Sequence, residues 1–307
     1  MSDIILHHYP ASPFAEKARL MLGFKGLAWR SVTIPRWMPK PDLMPLTGGY
    51  RRTPVMQIGA DIYCDTACIA RELERRQPAP SLFPVHAHGS ATMLGAWADR
   101  TLFFDVVPVV FGTHAASVPA ELREDRYRFS EGAIDLARYA ADQPHLRAQL
   151  RTHLWWLEHA FDDGRPYVLG AEPTYADFCL WGPMWMAANR VADLGLLADK
   201  PRIGDWLARM GAIGHGSPEP LEAADALEIA RAAQPAPVVN HHPDLPEGLS
   251  PGDAVTVAPD DYGKDPVAGR LLACSAGRIV IARTDPRVGE VHVHFPRAGY
   301  RLAAAQE

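Results

Sequence analysis

The stretch Tyr9-Pro10-Ala11-Ser12-Pro13-Phe14-Ala15-Glu16-Lys17-Ala18-Arg19-Leu20-Met21-Leu22 follows a short apolar run, Ile4-Ile5-Leu6. Ala15, Ala18 and Leu22, with Leu20 and Met21, recur at helical spacing. Pro13 stands where a first helical turn tolerates proline, and Ser12 precedes it as an N-cap. The chain therefore reads strand, tight turn, helix, with a hydroxyl at the helix N-terminus. Unpaired N–H groups and the helix dipole make that terminus hospitable to an anion, a thiolate included.

Working outward, residues 3–8 read as a strand, 13–26 as a helix stopped by Gly26, and 28–34 as a second strand. A loop holding Pro35, Pro39, Pro41 and Pro45 leads to Thr53-Pro54-Val55, a strand over 54–58, a turn at Gly59-Ala60-Asp61 and a strand over 62–64. Asp65-Thr66 caps a helix over 67–76, and Pro78, Pro80 and Pro84 mark a linker. The pattern then turns helical from about 88 to 232, with helices over 88–113, 119–142, 145–162, 175–191, 201–211 and 218–232 and a kink expected at Pro108. The segment 175–191 is uncharged between Asp177 and Arg190, which predicts the buried centre of a bundle. Beyond Pro235-Ala236-Pro237 helical periodicity stops. Short strands over 254–258, 267–273, 278–282, 291–295 and 300–302 predict a small all-β barrel, SH3-like, over 238–307.

At 307 residues and 48% hydrophobic content, two or three domains are expected. The net charge of −5 is uneven, at +4 over 1–85, −7 over 86–236 and −2 over 237–307, so the basic part coincides with the anion-binding helix terminus. The acidic balance of the C-terminal strands argues against a nucleic-acid partner. Four cysteines without framework spacing, no signal-like N-terminus and no long apolar run point to a cytoplasmic chain without a membrane partner. Cys64 and Cys68 read as core residues. The histidines are scattered (His7-His8, His86 and His88, His241-His242), and His292 and His294 share what reads as a solvated strand face, so no metal site is expected.

Four segments together resemble the glutathione transferase family. Ser12-Pro13-Phe14-Ala15-Glu16-Lys17-Ala18-Arg19 is similar to the omega-type active-site segment, with Ser12 where a Cys stands there. Thr53-Pro54-Val55 resembles the cis-proline loop of a thioredoxin-type domain, and Asp65-Thr66 the pair that holds a γ-glutamyl end. Thr174-Tyr175-Ala176-Asp177 resembles the capping box of the central C-terminal helix, with Thr174 and Asp177 as its partners. The resemblance covers about 1–232. It implies an α/β thioredoxin-like, glutathione-binding domain over 1–82, an all-α bundle over 88–232, and a homodimer.

It also implies roles. Ser12 Oγ would donate to the glutathione sulfur, with Tyr9 as a second candidate donor. Thr53, before Pro54, would offer its backbone to the cysteinyl part. Asp65 would pair with the glutamyl ammonium and Thr66 would take the glutamyl carboxylate, while Lys40, Arg51 or Arg52 would meet the glycyl carboxylate. Phe14 belongs to the same set. Trp37, Met38, Phe103, Phe104, Phe111 and His114 are candidates for a hydrophobic electrophile pocket. A serine cannot form the mixed disulfide open to a cysteine, so addition of the thiolate to an electrophile is favoured over disulfide exchange. Glutathione thus enters as co-substrate beside a hydrophobic small molecule. The competing expectation is a non-catalytic, transferase-like interaction protein whose C-terminal barrel recognises a protein partner.

Overall fold

The structure, a computed structural model, describes residues 3–238 and 245–305; His241-His242 lie outside the described residues. The first 76 residues give β1 (Ile5–His8), α1 (Pro13–Phe24), β2 (Ala28–Thr33), α2 (Met44–Thr47), β3 (Val55–Ile58), β4 (Asp61–Cys64) and α3 (Thr66–Arg76). β1 pairs parallel with β2 and antiparallel with β3, and β3 pairs antiparallel with β4. This is the thioredoxin-like arrangement. α1 starts as its sequence dictates: Ser12 is extended (φ −81°, ψ 121°), its Oγ accepts from Ala15 N at 3.1 Å, and Pro13 opens the first turn.

α1 is buried from Ala15 to Leu22, charged residues included. Each charge has a partner: Lys17 Nζ lies 2.6 Å from Asp99, and Arg19 pairs with Glu16 at 2.5 Å and donates to His8 Nδ1 at 2.9 Å. Glu16 also accepts from Trp181 Nε1 at 3.2 Å and meets His215 at 3.0 Å. Burial alone would push the Glu16 carboxyl up, but hydrogen bonds from His215 and Arg19 outweigh it and bring its pKa to about 2.

The helical half comprises α4 (His88–Trp97), a π-helical segment (Ala98–Leu102), α5 (Phe103–Thr113), α6 (Ala120–Phe129), α7 (Leu136–Ala141), α8 (Gln143–His159), α9 (Tyr175–Arg190) and α10 (Pro201–Gly211). α9 is the buried central helix. Thr174 and Asp177 form its capping box, and the Asp177 carboxylate also accepts from Val168 N and Trp206 Nε1 at 2.9 and 3.0 Å. A π-helical segment at 98–102 interrupts the first long helix expected and carries Asp99 to Lys17, while Pro108 sits within α5. The last predicted helix begins later than expected, as α11 (Ala223–Ala232). Ser217–Pro220 ahead of it is a strand, β5, parallel to β2.

The five C-terminal strands are present as β6 (Ala254–Pro259), β7 (Val267–Cys274), β8 (Arg278–Asp285), β9 (Gly289–Pro296) and β10 (Tyr300–Ala304). They do not stand apart as the expected separate barrel. β9 pairs parallel with β4, setting Ile62 against Val293, so a single ten-stranded sheet runs β10-β6-β7-β8-β9-β4-β3-β1-β2-β5. The core explains the fusion. Side chains alternate across the sheet: Leu6 and Met56 face the helices with Leu22 and Phe178, while Ile5, Val55 and Ile62 face the other way. That second face is covered by Ala226 and Leu227 of α11, in one continuous core with Val257, Ile281, Val293 and Phe295.

His292 and His294 are likewise not on a solvated face. Both are buried at the β4–β9 seam, where His294 stacks on Tyr63 at 4.4 Å and its Nε2 lies 2.8 Å from Asp61 Oδ1. Among the described residues no helix is long and apolar enough to cross a membrane.

His7 and His8 make stability pH-dependent. Burial brings both pKa values down to about 4, against the Gln57 hydrogen bond for His7 and aided by Arg19 for His8. The unfolded chain binds these protons near 6.5 and the folded chain only near 4. Full stability is therefore present above pH 6.5 and drains as pH falls toward 4, by up to ~3 kcal/mol per histidine. Denaturant midpoints should fall steeply between pH 6.5 and 4.5, and His7→Asn should flatten part of that slope; a flat wild-type profile would contradict the burial argument.

Candidate active site

The N-terminus of α1, the turn before β3 and the start of α3 converge on one cavity of about 500 Å3. Ser12, Tyr9 and Phe14 line it from one side. The Ser12 hydroxyl oxygen is occupied as an acceptor by Ala15 N, which leaves its proton free to donate. Tyr9 O receives Ser12 N at 3.2 Å, closing the turn, and Tyr9 Oη lies 3.4 Å from Arg126 Nη2. Thr53-Pro54 is a cis peptide on the cavity wall. Asp65 and Thr66 complete this side. Asp65 caps α3 at φ 76°, with Oδ1 accepting from Ala67 N at 2.9 Å and Oδ2 accepting from the Tyr300 hydroxyl at 3.0 Å.

The opposite wall is apolar and comes from the helical half. Phe103 and Phe104 pack edge to face, Phe14 lies 4.5 Å from Phe103, and Phe111 and Leu122 extend the surface. The expected pocket set needs correction in three places. Trp37 and Met38 line a separate cleft on the far side of Tyr9, because the proline-rich loop runs outward after Ile34. His114 ends α5 away from the cavity, its Nε2 donating to Arg190 O at 2.6 Å.

Cations crowd the polar end. Asp125 is shared by Arg51 and Arg126, the latter at 2.6 Å. Lys40 is buried and donates to Arg51 O at 2.8 Å and Thr53 Oγ1 at 3.0 Å. Burial, reinforced by Arg126 and Arg51, brings its pKa down to about 7. Arg52 is not held out toward a ligand as expected. It is turned to the C-terminal strands, paired with Asp261 and Tyr262 O, with its guanidinium 4.1 Å from the Tyr262 ring centre. The Nε of Arg52 is buried without a hydrogen-bond partner.

The residues that sequence reasoning missed are mainly those of the β6–β7 and β9–β10 connections. Asp261, Tyr262, Gly299 and Tyr300 all line the cavity. Tyr262 sits edge-on between Phe104 and Phe129, at 5.4 and 5.3 Å. Gly263 makes this approach possible: its N donates to Phe129 O at 2.8 Å, and a Cβ there would run into the Phe129 ring. Nothing in local periodicity connects residues 260–300 with the helix at 120–129. Among the described residues no cluster of three or more His, Cys, Asp or Glu could hold a metal ion.

Two family models match: the N-terminal domain of glutathione S-transferases over residues 6–81 and their C-terminal domain over 96–209. A GST-like protein from Pseudomonas syringae superposes with a TM-score of 0.79 at 41% identity, covering 99% of this chain and 100% of that one, the C-terminal strands therefore included. A glutathione S-transferase from Rhodospirillum rubrum F11 matches at 24% identity and TM-score 0.53, over 68% of this chain and 88% of that one. FzlA from C. crescentus does so at 21% and 0.52, over 68% and 87%. The last two show the fold alone. No curated protein sequence matches.

Removing the Tyr262 ring leaves a void between Phe104 and Phe129 and uncovers Arg52. Tyr262→Ala should cost about 2 kcal/mol, read as a lower denaturation midpoint, and should increase binding of an apolar fluorescent dye in the cavity. An unchanged midpoint with unchanged dye binding would show that the ring bounds nothing.

Proposed function

The chain belongs to the glutathione S-transferase family, and from that membership we propose that it binds glutathione as a thiolate and adds it to a hydrophobic electrophile. The observation that carries this reading is the opening of Ser12, Thr53-Pro54, Asp65-Thr66 and the phenylalanine wall onto one cavity, about 500 Å3 in volume, of ligand-binding size. The glutamyl ammonium goes to Asp65 and its carboxylate to Thr66, at the start of α3. The cysteinyl backbone pairs with Thr53. The glycyl carboxylate lies toward Lys40.

In this pose the thiol releases its proton to solvent. The Ser12 hydroxyl and the N-terminus of α1 stabilise the thiolate, with Tyr9 as a second donor. The sulfur then attacks the electrophilic carbon held against Phe104 and Phe111, an S–C bond forms, and the leaving group departs with the electron pair. Glutathione is co-substrate, and the homodimer implied by the resemblance and the cytoplasmic setting expected from the cysteine usage belong to the same reading. In this reading the domains expected over 1–82 and 88–232 supply the two walls of the site, and the strands β6–β10 bring Asp261, Tyr262 and Tyr300 to its polar end.

Calorimetric titration with millimolar glutathione tests the reading; no heat of binding would sink it. Ser12→Ala should raise the pKa of the bound thiol and lower kcat/KM by about 10- to 100-fold, the effect of losing one hydrogen bond to a charged group. S-methylglutathione isolates the other end, because it has no thiol to titrate. With Lys40 near 7, its charge is present at pH 6 and lost by pH 8.5, so affinity should weaken across that interval. Lys40→Arg, charged throughout, should flatten the curve.

A further inference from the structure

β10 enters the cavity beside Asp65. The Tyr300 hydroxyl lies 3.0 Å from Asp65 Oδ2 and 3.3 Å from the Tyr50 hydroxyl. A phenol has one proton to give. The carboxylate is the nearer and charged acceptor, so Tyr300 donates to Asp65 and Tyr50 in turn donates to Tyr300. Burial pushes both phenols well above their ordinary range, so both remain protonated donors. Tyr50 and Tyr300 are themselves fixed against Phe295 of β9, at 6.0 and 5.6 Å.

The group at the end of this chain is unusual in its backbone. Asp65 has φ 76°, a region few residues other than glycine adopt. Such a residue persists where its surroundings over-determine it. Here both carboxylate oxygens are held, Oδ1 by Ala67 N and Oδ2 by Tyr300. A helix cap requires only the first of these bonds. The second fixes the plane of the carboxylate, on a residue that lines the cavity and comes from a strand that would otherwise have no part in the site.

We propose that the C-terminal strands are a working part of the glutathione site, with Tyr300 as a positioning residue that orients the Asp65 carboxylate for the ammonium of the γ-glutamyl group. The inference rests on the glutathione reading above and goes beyond it, since it gives β6–β10 a role in ligand binding. Tyr300 touches no ligand itself; it acts through Asp65.

The test pairs Tyr300→Phe in the full chain with two ligands: glutathione, and deaminoglutathione, in which a hydrogen replaces the ammonium. Calorimetry should show about a tenfold loss of affinity for glutathione and less than a twofold loss for the deamino ligand, the size expected for one charge-assisted hydrogen bond. Equal losses for both ligands, or no loss, would overturn the proposal, because a merely structural hydroxyl cannot tell them apart. If the wild-type chain binds neither ligand, the glutathione reading falls and the proposal with it. A second measurement needs no variant. In a crystal structure of the wild-type chain with glutathione, the ammonium should sit on Asp65 with Tyr300 still bonded to Oδ2; a glutamyl end bound elsewhere, or Tyr300 turned away, would overturn it.

Discussion

The parallel pairing of β9 with β4 is the contact on which the arrangement of the site depends. A thioredoxin-like sheet ending at β4 would expose a row of unpaired backbone groups. β9 satisfies them, with His292 N donating to Ala60 O at 3.0 Å. Asp61 reinforces the seam from the side, accepting from Ala236 N at 2.8 Å and meeting His294 at the same distance. Once β9 is fixed, the β9–β10 turn and the β6–β7 loop have little choice of position. They arrive over α3 and α6, and bring Tyr300, Asp261 and Tyr262 to the polar end of the cavity.

That end is governed by an excess of positive charge in a partly buried space. Arg51 and Arg126 share one carboxylate, Asp125, and Lys40 has none. The depressed pKa of Lys40 reflects burial first and these neighbouring cations second. The C-terminal strands moderate the excess through the Arg52–Asp261 pair. The opposite end is lined by the rings of Phe103, Phe104 and Phe111. The cavity therefore has a polar half and an apolar half, and Ser12 lines the same space.

Much of this was legible in the sequence, where local chemistry decides structure. Ser12-Pro13 announced the start of α1, and Thr174 and Asp177 the capping box of α9, because caps are short-range hydrogen-bond solutions. The order of strands and helices along the N-terminal half followed from alternating runs and turns. Long-range placement was not legible. Trp37 and Met38 looked like pocket residues because an apolar pair in a proline-rich loop gives no direction, and the loop carries them outward. His292 and His294 looked solvated because alternation cannot show that a second strand covers the face. The C-terminal strands were counted correctly, yet no periodicity could reveal that their partner was β4, more than 200 residues earlier. Arg52 lines the cavity, but its turn toward Asp261 and Tyr262 could not be read from the sequence.

The hydrogen bond between Tyr300 and Asp65 spans 235 positions of chain. Synthesis on the ribosome proceeds from the N-terminus, so Ser12, Thr53 and Asp65 leave the tunnel long before their partner exists. Loop closure over such a span is entropically costly and forms late in folding. A truncated product lacking β10 would retain both family domains while leaving the Asp65 carboxylate held at one oxygen only. The pocket is therefore complete only once β10 has joined the sheet, and a chain that has not yet placed that strand presents an unfinished site.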